Sequence, residues 1–159
     1  DVFNDHLYEL IKKSVRSGRH SVREITDQCY RMFEEPESKE CSFKFQSYFF
    51  QLKGDWYSFV ELGNRLALNA DENRNQLVSM AATLLRSGVD EEKLGTALSW
   101  MKMPMDEMSL KELEIKASLS FRTGLREEAK TTAEAAILKA RELGKDAPSS
   151  TYILEELRK

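Results

Sequence analysis

Apolar residues recur along this chain at three- and four-residue spacing, in stretches long enough for amphipathic helices and separated by short polar breaks. No segment alternates with period two for long enough to propose a strand. The spacing predicts helices over 2–17, 21–34, 41–53, 56–69, 73–87, 91–103, 107–123 and 126–143, with a short closing helix over 150–158. The punctuation agrees with these bounds. Pro36 follows the second helix, Asp55, Asp71, Asp90 and Asp106 stand where N-caps are expected for the fourth to seventh, and Pro104 blocks continuation past Met103. Pro148 and the run Ser149-Ser150-Thr151 open the last helix.

A longer period lies over the short one. Gly18, Gly54, Gly88 and Gly124 fall at intervals of 36, 34 and 36 residues, each between two helical stretches, where a helix C-terminus needs the left-handed backbone that glycine adopts most readily. Eleven residues before each glycine stands a large apolar residue: Leu7, Phe43, Leu77 and Leu113. Seven before, the residues are Ile11, Ser47, Ala81 and Ala117, small in three of the four. Large and small positions four apart share one helix face, so each first helix offers a knob and then a shallow place where a neighbour approaches closely.

This spacing resembles the tetratricopeptide repeat, a 34-residue helical hairpin with a glycine between its helices. The best match runs from Leu113 to Gly144, where Leu113, Ala117, Gly124, Ala129, Ala133 and Ala136 occupy the repeat's bulky, small and turn positions. Gly54-Asp55-Trp56 is similar to the family's turn, while Arg23, Phe59 and Lys93 depart from it where a small residue is usual. The resemblance implies an all-α single domain over 1–159, a right-handed stack of about four antiparallel hairpins (2–34, 41–69, 73–103 and 107–143) with a capping helix at 150–158. A second resemblance covers Leu110 to Lys159, which is similar to the helical region that follows a thioredoxin-fold domain in exported proteins of Bacteroides-type bacteria. It implies an accessory role beside a thiol-disulfide oxidoreductase domain lying upstream, and a setting in the periplasm or cell envelope.

Charge adds little direction. The formal net charge of -3 supplies no field to gather a polyanion, so nucleic acid is not an expected partner. No apolar run is long enough to insert in a membrane. The start, Asp1-Val2-Phe3-Asn4-Asp5, opens directly on helical pattern, as expected of a processed chain or an excised domain. Cys29 and Cys41, the two cysteines, have no metal-ligand or CxxC spacing; two buried thiols and, in an exported chain, a disulfide are both compatible with them.

Eight of the fifteen aromatic residues lie between Phe43 and Phe59, and those of 43–50 spread around too much of the helical wheel for one face to hide. If first helices line a concave face, the positions that look onto it include Tyr8, Lys12, Phe45, Tyr48, Asn75, Ser79, Lys111 and Ile115. These do not reproduce the Lys, Asn and Arg set of a two-carboxylate clamp. The partner-binding candidates are Phe45, Tyr48, Tyr8, Lys12, Gln51 and Phe121, with either core packing or an aromatic anchor open to the aromatic ones. Met101, Met103, Met105 and Met108 read first as flexible filling around Pro104 and second as an adaptable binding patch; Lys12, Lys13, Arg16, Arg19 and Arg23 read first as a solvated face balanced by nearby glutamates and second as a contact for an acidic partner or a phosphate. His6 and His20 have no nucleophile tied to them by a recognised motif, and the dispersed glycines cradle no phosphate. The expectation is a non-catalytic scaffold without cofactor or metal, holding a peptide or protein domain; a thioredoxin-fold domain of the same protein and a homodimer are both left open as partners.

Overall fold

The computed structural model describes residues 2–18 and 21–159, with the side chains at positions 2–7, 10 and 25 outside that description. Arg19 and His20 therefore lie outside the described residues, as do the side chains of His6 and Leu7. All regular structure among the described residues is helical: α1 (Val2–Ser17), α2 (Val22–Met32), α3 (Glu37–Lys53), α4 (Trp56–Ala67), α5 (Arg74–Arg86), α6 (Glu91–Trp100), α7 (Leu110–Arg122), α8 (Arg126–Glu142) and α9 (Pro148–Leu157), with a single 3-10 turn at Met105–Glu107.

The periodic glycines end helices as their spacing predicts. Gly18, Gly54, Gly88 and Gly124 all have φ between 62° and 75°, a region that costs a residue with a Cβ. Around Gly54 the Asp55 N–H donates to the Phe50 carbonyl at 2.9 Å. The same five-residue closure recurs from Leu125 to Ser120 at 2.8 Å and, around a further glycine at 144, from Lys145 to Ala140 at 2.9 Å. These bonds satisfy carbonyls that a helix end leaves without partners, and they turn the chain back sharply.

Three boundaries differ from the periodic reading by three residues or more, and two expected caps are replaced. Helix α3 starts at Glu37, four residues early, because Pro36 takes the N-cap position. Asp71 caps nothing at α5; the loop is organised by Asn73, whose amide donates to the carbonyls of Leu66 and Asn69 at the end of α4. Asp106 sits in the 3-10 turn, and α7 is opened by Ser109, which accepts from the Glu112 N–H while the Glu112 carboxylate accepts from the Ser109 N–H. Helix α6 stops at Trp100, before Pro104 is reached. Asp55 and Asp90 do cap α4 and α6, each accepting a backbone N–H at 3.0 Å.

By packing, the chain divides into two compact units, Asp1–Leu62 and Gly63–Lys159. In the first unit α3 packs against α1 and α2. Its core holds Ile11, Phe45, Phe49, Phe50, Phe59 and Leu62, with Phe45 and Phe49 stacked at 5.8 Å between ring centroids. Cys29 of α2 and Cys41 of α3 are both buried and are joined as a disulfide, with their Cα atoms 5.8 Å apart.

In the second unit consecutive helices pack as hairpins, and alternate ones also touch: α7 contacts α5, α6, α8 and α9. Small residues make this possible. Ala81, Ala97, Ala117, Ala129, Ala133, Ala136 and Ala140 are essentially inaccessible to solvent, so neighbouring backbones approach to alanine distance. Ala117, Ala129 and Ala133 form one cluster with Ile153, covered by Phe121, Leu154 and Leu157; Met108, Leu113 and Ala136 form another. Met101 and Met108 are buried, in keeping with methionine as an adaptable filler. At the start of this unit the Trp100 ring lies on Gly63, and its indole N–H donates to Asn64 Oδ1 at 3.0 Å.

One long-range ion pair ties hairpin to hairpin. Arg74, at the start of α5, donates through Nε and Nη2 to the two carboxylate oxygens of Glu112 at 2.6 and 2.9 Å, and through Nη2 to the Glu107 carbonyl at 2.8 Å. The two-pronged geometry and the near-complete burial of Glu112 make this pair worth more than a surface one. The Arg74 guanidinium, aided by Ser109 and opposed by burial, moves the Glu112 carboxyl from its ordinary 4.5 to about 2.

Three outcomes follow. Replacing both Cys29 and Cys41 with serine lowers the unfolding free energy by about 2–3 kcal/mol, the effect of opening a short closed loop. Urea titration reads it, and dithiothreitol produces the same loss in the native chain and none in the double variant. Because folding depresses the Glu112 carboxyl, the contribution of the pair is complete above pH 4.5 and is lost as pH falls toward 2. Glu112→Gln is therefore less stable than the native chain by about 2–3 kcal/mol at pH 7, and titrations repeated at lower pH show the gap closing across that window. Gly63→Ala places a methyl group inside the Trp100 ring; overpacking of this kind costs about 1–3 kcal/mol, read as a lower urea midpoint.

Candidate functional site

The predicted contact residues fall in two places. In the first unit Tyr8 of α1 and Tyr48 of α3 meet edge to face at 4.5 Å, with Tyr8 40% exposed and Tyr48 half-buried. Lys12, one turn along α1, donates to Glu9 at 2.9 Å, and this bond raises the pKa of the lysine and lowers that of the glutamate. Gln51 donates to the Ser47 hydroxyl at 3.2 Å. Phe45 has no exposed surface and belongs to the core, so it offers nothing to a partner. Helix α3 packs against both α1 and α2, and this burial is a consequence of packing that the helical wheel alone does not contain.

Phe121 lies in the second unit, where it lines an open groove of about 970 Å³. Three helices build it by presenting one stripe each: Ala82, Leu85 and Arg86 from α5; Lys111, Glu114, Ile115, Ser118, Phe121 and Arg122 from α7; and Pro148, Ser149, Tyr152 and Ile153 from α9. The spacing within each stripe is three or four residues, the repeat of one helix face. Lys111 and Ile115, which the glycine count places on the first-helix face, are both in this lining; Asn75 lines a smaller neighbouring cavity with Arg74 and Glu112.

Two contacts fix how the three helices run. Arg74 and Glu112 stand in the first turns of α5 and α7, so the N-termini of these helices are side by side. Glu114 Oε1 accepts the Ser149 backbone N–H at 3.0 Å, which brings the N-terminus of α9 to the same end of α7 and supplies the cap that α9 lacks from its own sequence. The three helices lie in parallel, with α6 and α8 as the intervening helices of the chain.

The groove has an apolar floor and a cationic rim. Ile115, Ile153 and Ala82 are nearly buried beneath it, while half of the Tyr152 surface remains in water. Arg86, Lys111, Arg122 and Lys145 are exposed at its edges. No described residue holds any of the four in an ion pair; Arg86 reaches only the Thr83 hydroxyl, at 3.5 Å. Glu114, the one carboxylate in the lining, is committed to α9.

Of this lining the sequence names Phe121 as a contact candidate and Lys111 and Ile115 as first-helix-face positions, and it does not single out Arg86, Arg122, Lys145 or Tyr152. The last-turn arginines read as ordinary complements to helix dipoles, and their convergence appears only when α5 and α7 are set in parallel. The described residues contain no group of three or more His, Cys, Asp or Glu side chains placed to hold a metal, and no helix long and apolar enough to cross a membrane. Comparison of the chain with family models, with curated proteins and with solved structures found no match.

Proposed function

We propose that this chain is a non-catalytic interaction scaffold, a right-handed stack of tetratricopeptide-like hairpins in which the face made by first helices holds a peptide or a domain of another protein. The observation that carries the reading is the groove of α5, α7 and α9: three parallel stripes leave apolar side chains under an open surface instead of closing over them. A stack of hairpins buries each pair only against its neighbours, so an extended face of this kind stays available for a partner. Tyr8, Tyr48 and Lys12 offer a second, smaller contact edge on the first unit.

A second reading is favoured by the Cys29–Cys41 bridge, since disulfides persist in exported proteins and are rare in reducing compartments. It makes the chain the accessory helical part of a thioredoxin-linked oxidoreductase in the cell envelope, with the groove holding the neighbouring domain. Coding sequence upstream of Asp1 that specifies a CxxC-bearing α/β domain supports this version, and its absence removes it.

The scaffold reading is tested by selecting displayed random peptides on the purified chain. Enriched peptides are expected to lose binding at least about tenfold when Ser118→Trp fills the groove, a loss of about 1.4 kcal/mol, and to keep it when Leu138→Trp alters the exposed face of α8, away from the groove. No enrichment, or binding indifferent to Ser118→Trp in a chain that remains helical, refutes the proposal.

A further inference from the structure

We infer that the α5–α7–α9 groove takes an extended acidic peptide segment of a partner protein, with two carboxylates about five residues apart and an apolar side chain between them; this rests on the scaffold reading above. The four rim cations are not scattered. Lys111 is in the first turn of α7 and Lys145 lies just before α9, at the end where the three N-termini gather. Arg86 and Arg122 are in the last turns of α5 and α7, at the opposite end, because those helices are parallel. Eleven residues separate Lys111 from Arg122, a rise of about 16 Å along the helix. An extended chain covers that distance in about five residues.

Between the two cation pairs the floor is Ile115, Phe121, Tyr152 and Ile153, which suits a leucine or phenylalanine side chain better than a polar one. The sign of the charge is decided locally. The chain as a whole carries -3, yet in the groove four cations face one carboxylate, and that carboxylate is occupied by the α9 backbone. Cations without partners beside an apolar floor complement an acidic, apolar ligand. A nucleic acid fits less well: the overall negative charge opposes a polyanion at range, and phosphates repeat far more closely than two clusters about 16 Å apart.

The test uses fluorescent, end-blocked peptides on the full chain, read by anisotropy. The probe has two glutamates about five residues apart flanking leucine and phenylalanine; one control replaces the glutamates with glutamine, and another sets them side by side. The spaced acidic peptide is expected to bind at least about tenfold more tightly than either control, with affinity falling as salt rises. Arg86→Glu with Lys145→Glu, both on exposed positions, is expected to abolish that preference while the thermal melt is unchanged; Arg86→Gln with Lys145→Gln gives an intermediate loss. Equal binding of the glutamine peptide, insensitivity to the charge variants, or tighter capture of an oligouridylate than of the peptide overturns the inference. If neutral peptides bind and Ser118→Trp displaces them, the acidic specificity falls and the scaffold reading stands. If no peptide of any charge binds, both fall.

Discussion

The close approach of α7 to its neighbours is the constraint on which the second unit depends. A helix that touches four others cannot carry large side chains on every face, and α7 has Ala117 where the alanines of α8 and the Ile153 side chain come nearest. Where it carries bulk, as at Leu113 and Leu119, the residue is sunk completely. Any larger group at Ala117 would push α7 away from α8 and α9 together, and the groove would lose the close seating of its α9 wall. The hydrophobic effect supplies the driving force, but the absence of side-chain volume at a few crossing points decides which helices stand side by side.

Polar contacts then fix the register within that packing. The Arg74 fork and the bond from Glu114 to the start of α9 both join helix beginnings, and together they align α5, α7 and α9 in one direction. Glu112 serves twice, as the partner of Arg74 and as the capping-box residue of α7. A single carboxylate thus sets both where α7 begins and which neighbour it begins beside. In the first unit the corresponding tie is covalent, the Cys29–Cys41 bridge between α2 and α3.

Helices and turns were legible because their signals are local. Three- and four-residue periodicity, Asp55 and Asp90 ahead of α4 and α6, and the glycines that end α1, α3, α5, α7 and α8 all act over a few residues of chain. What escaped depends on residues distant in sequence. Asp71 and Asp106 looked like caps as much as Asp55 did, but Asn73 and Ser109 had better partners in the folded chain. Phe45 could be placed on a helix face but not inside or outside, since that is settled by what encloses α3. The cysteines read first as two buried thiols, with a bridge open only to an exported chain, because only the α2–α3 packing brings their Cα atoms to bonding range. The groove was half visible: its floor residue Ile115 followed from the glycine count, while a rim drawn from α5, α7 and the turn after Gly144 has no signature in any one segment.

The parallel run of α5, α7 and α9 also makes the two ends of the groove unlike. Aligned peptide dipoles leave partial positive charge where the three helices begin and partial negative charge where they finish. The lysine end therefore sits in a field that reinforces its cations, whereas the arginines at the far end offset the field of the helices that bear them. A chain lying along this surface meets a built-in polarity, so that its two possible orientations differ in energy even when its sequence reads the same both ways.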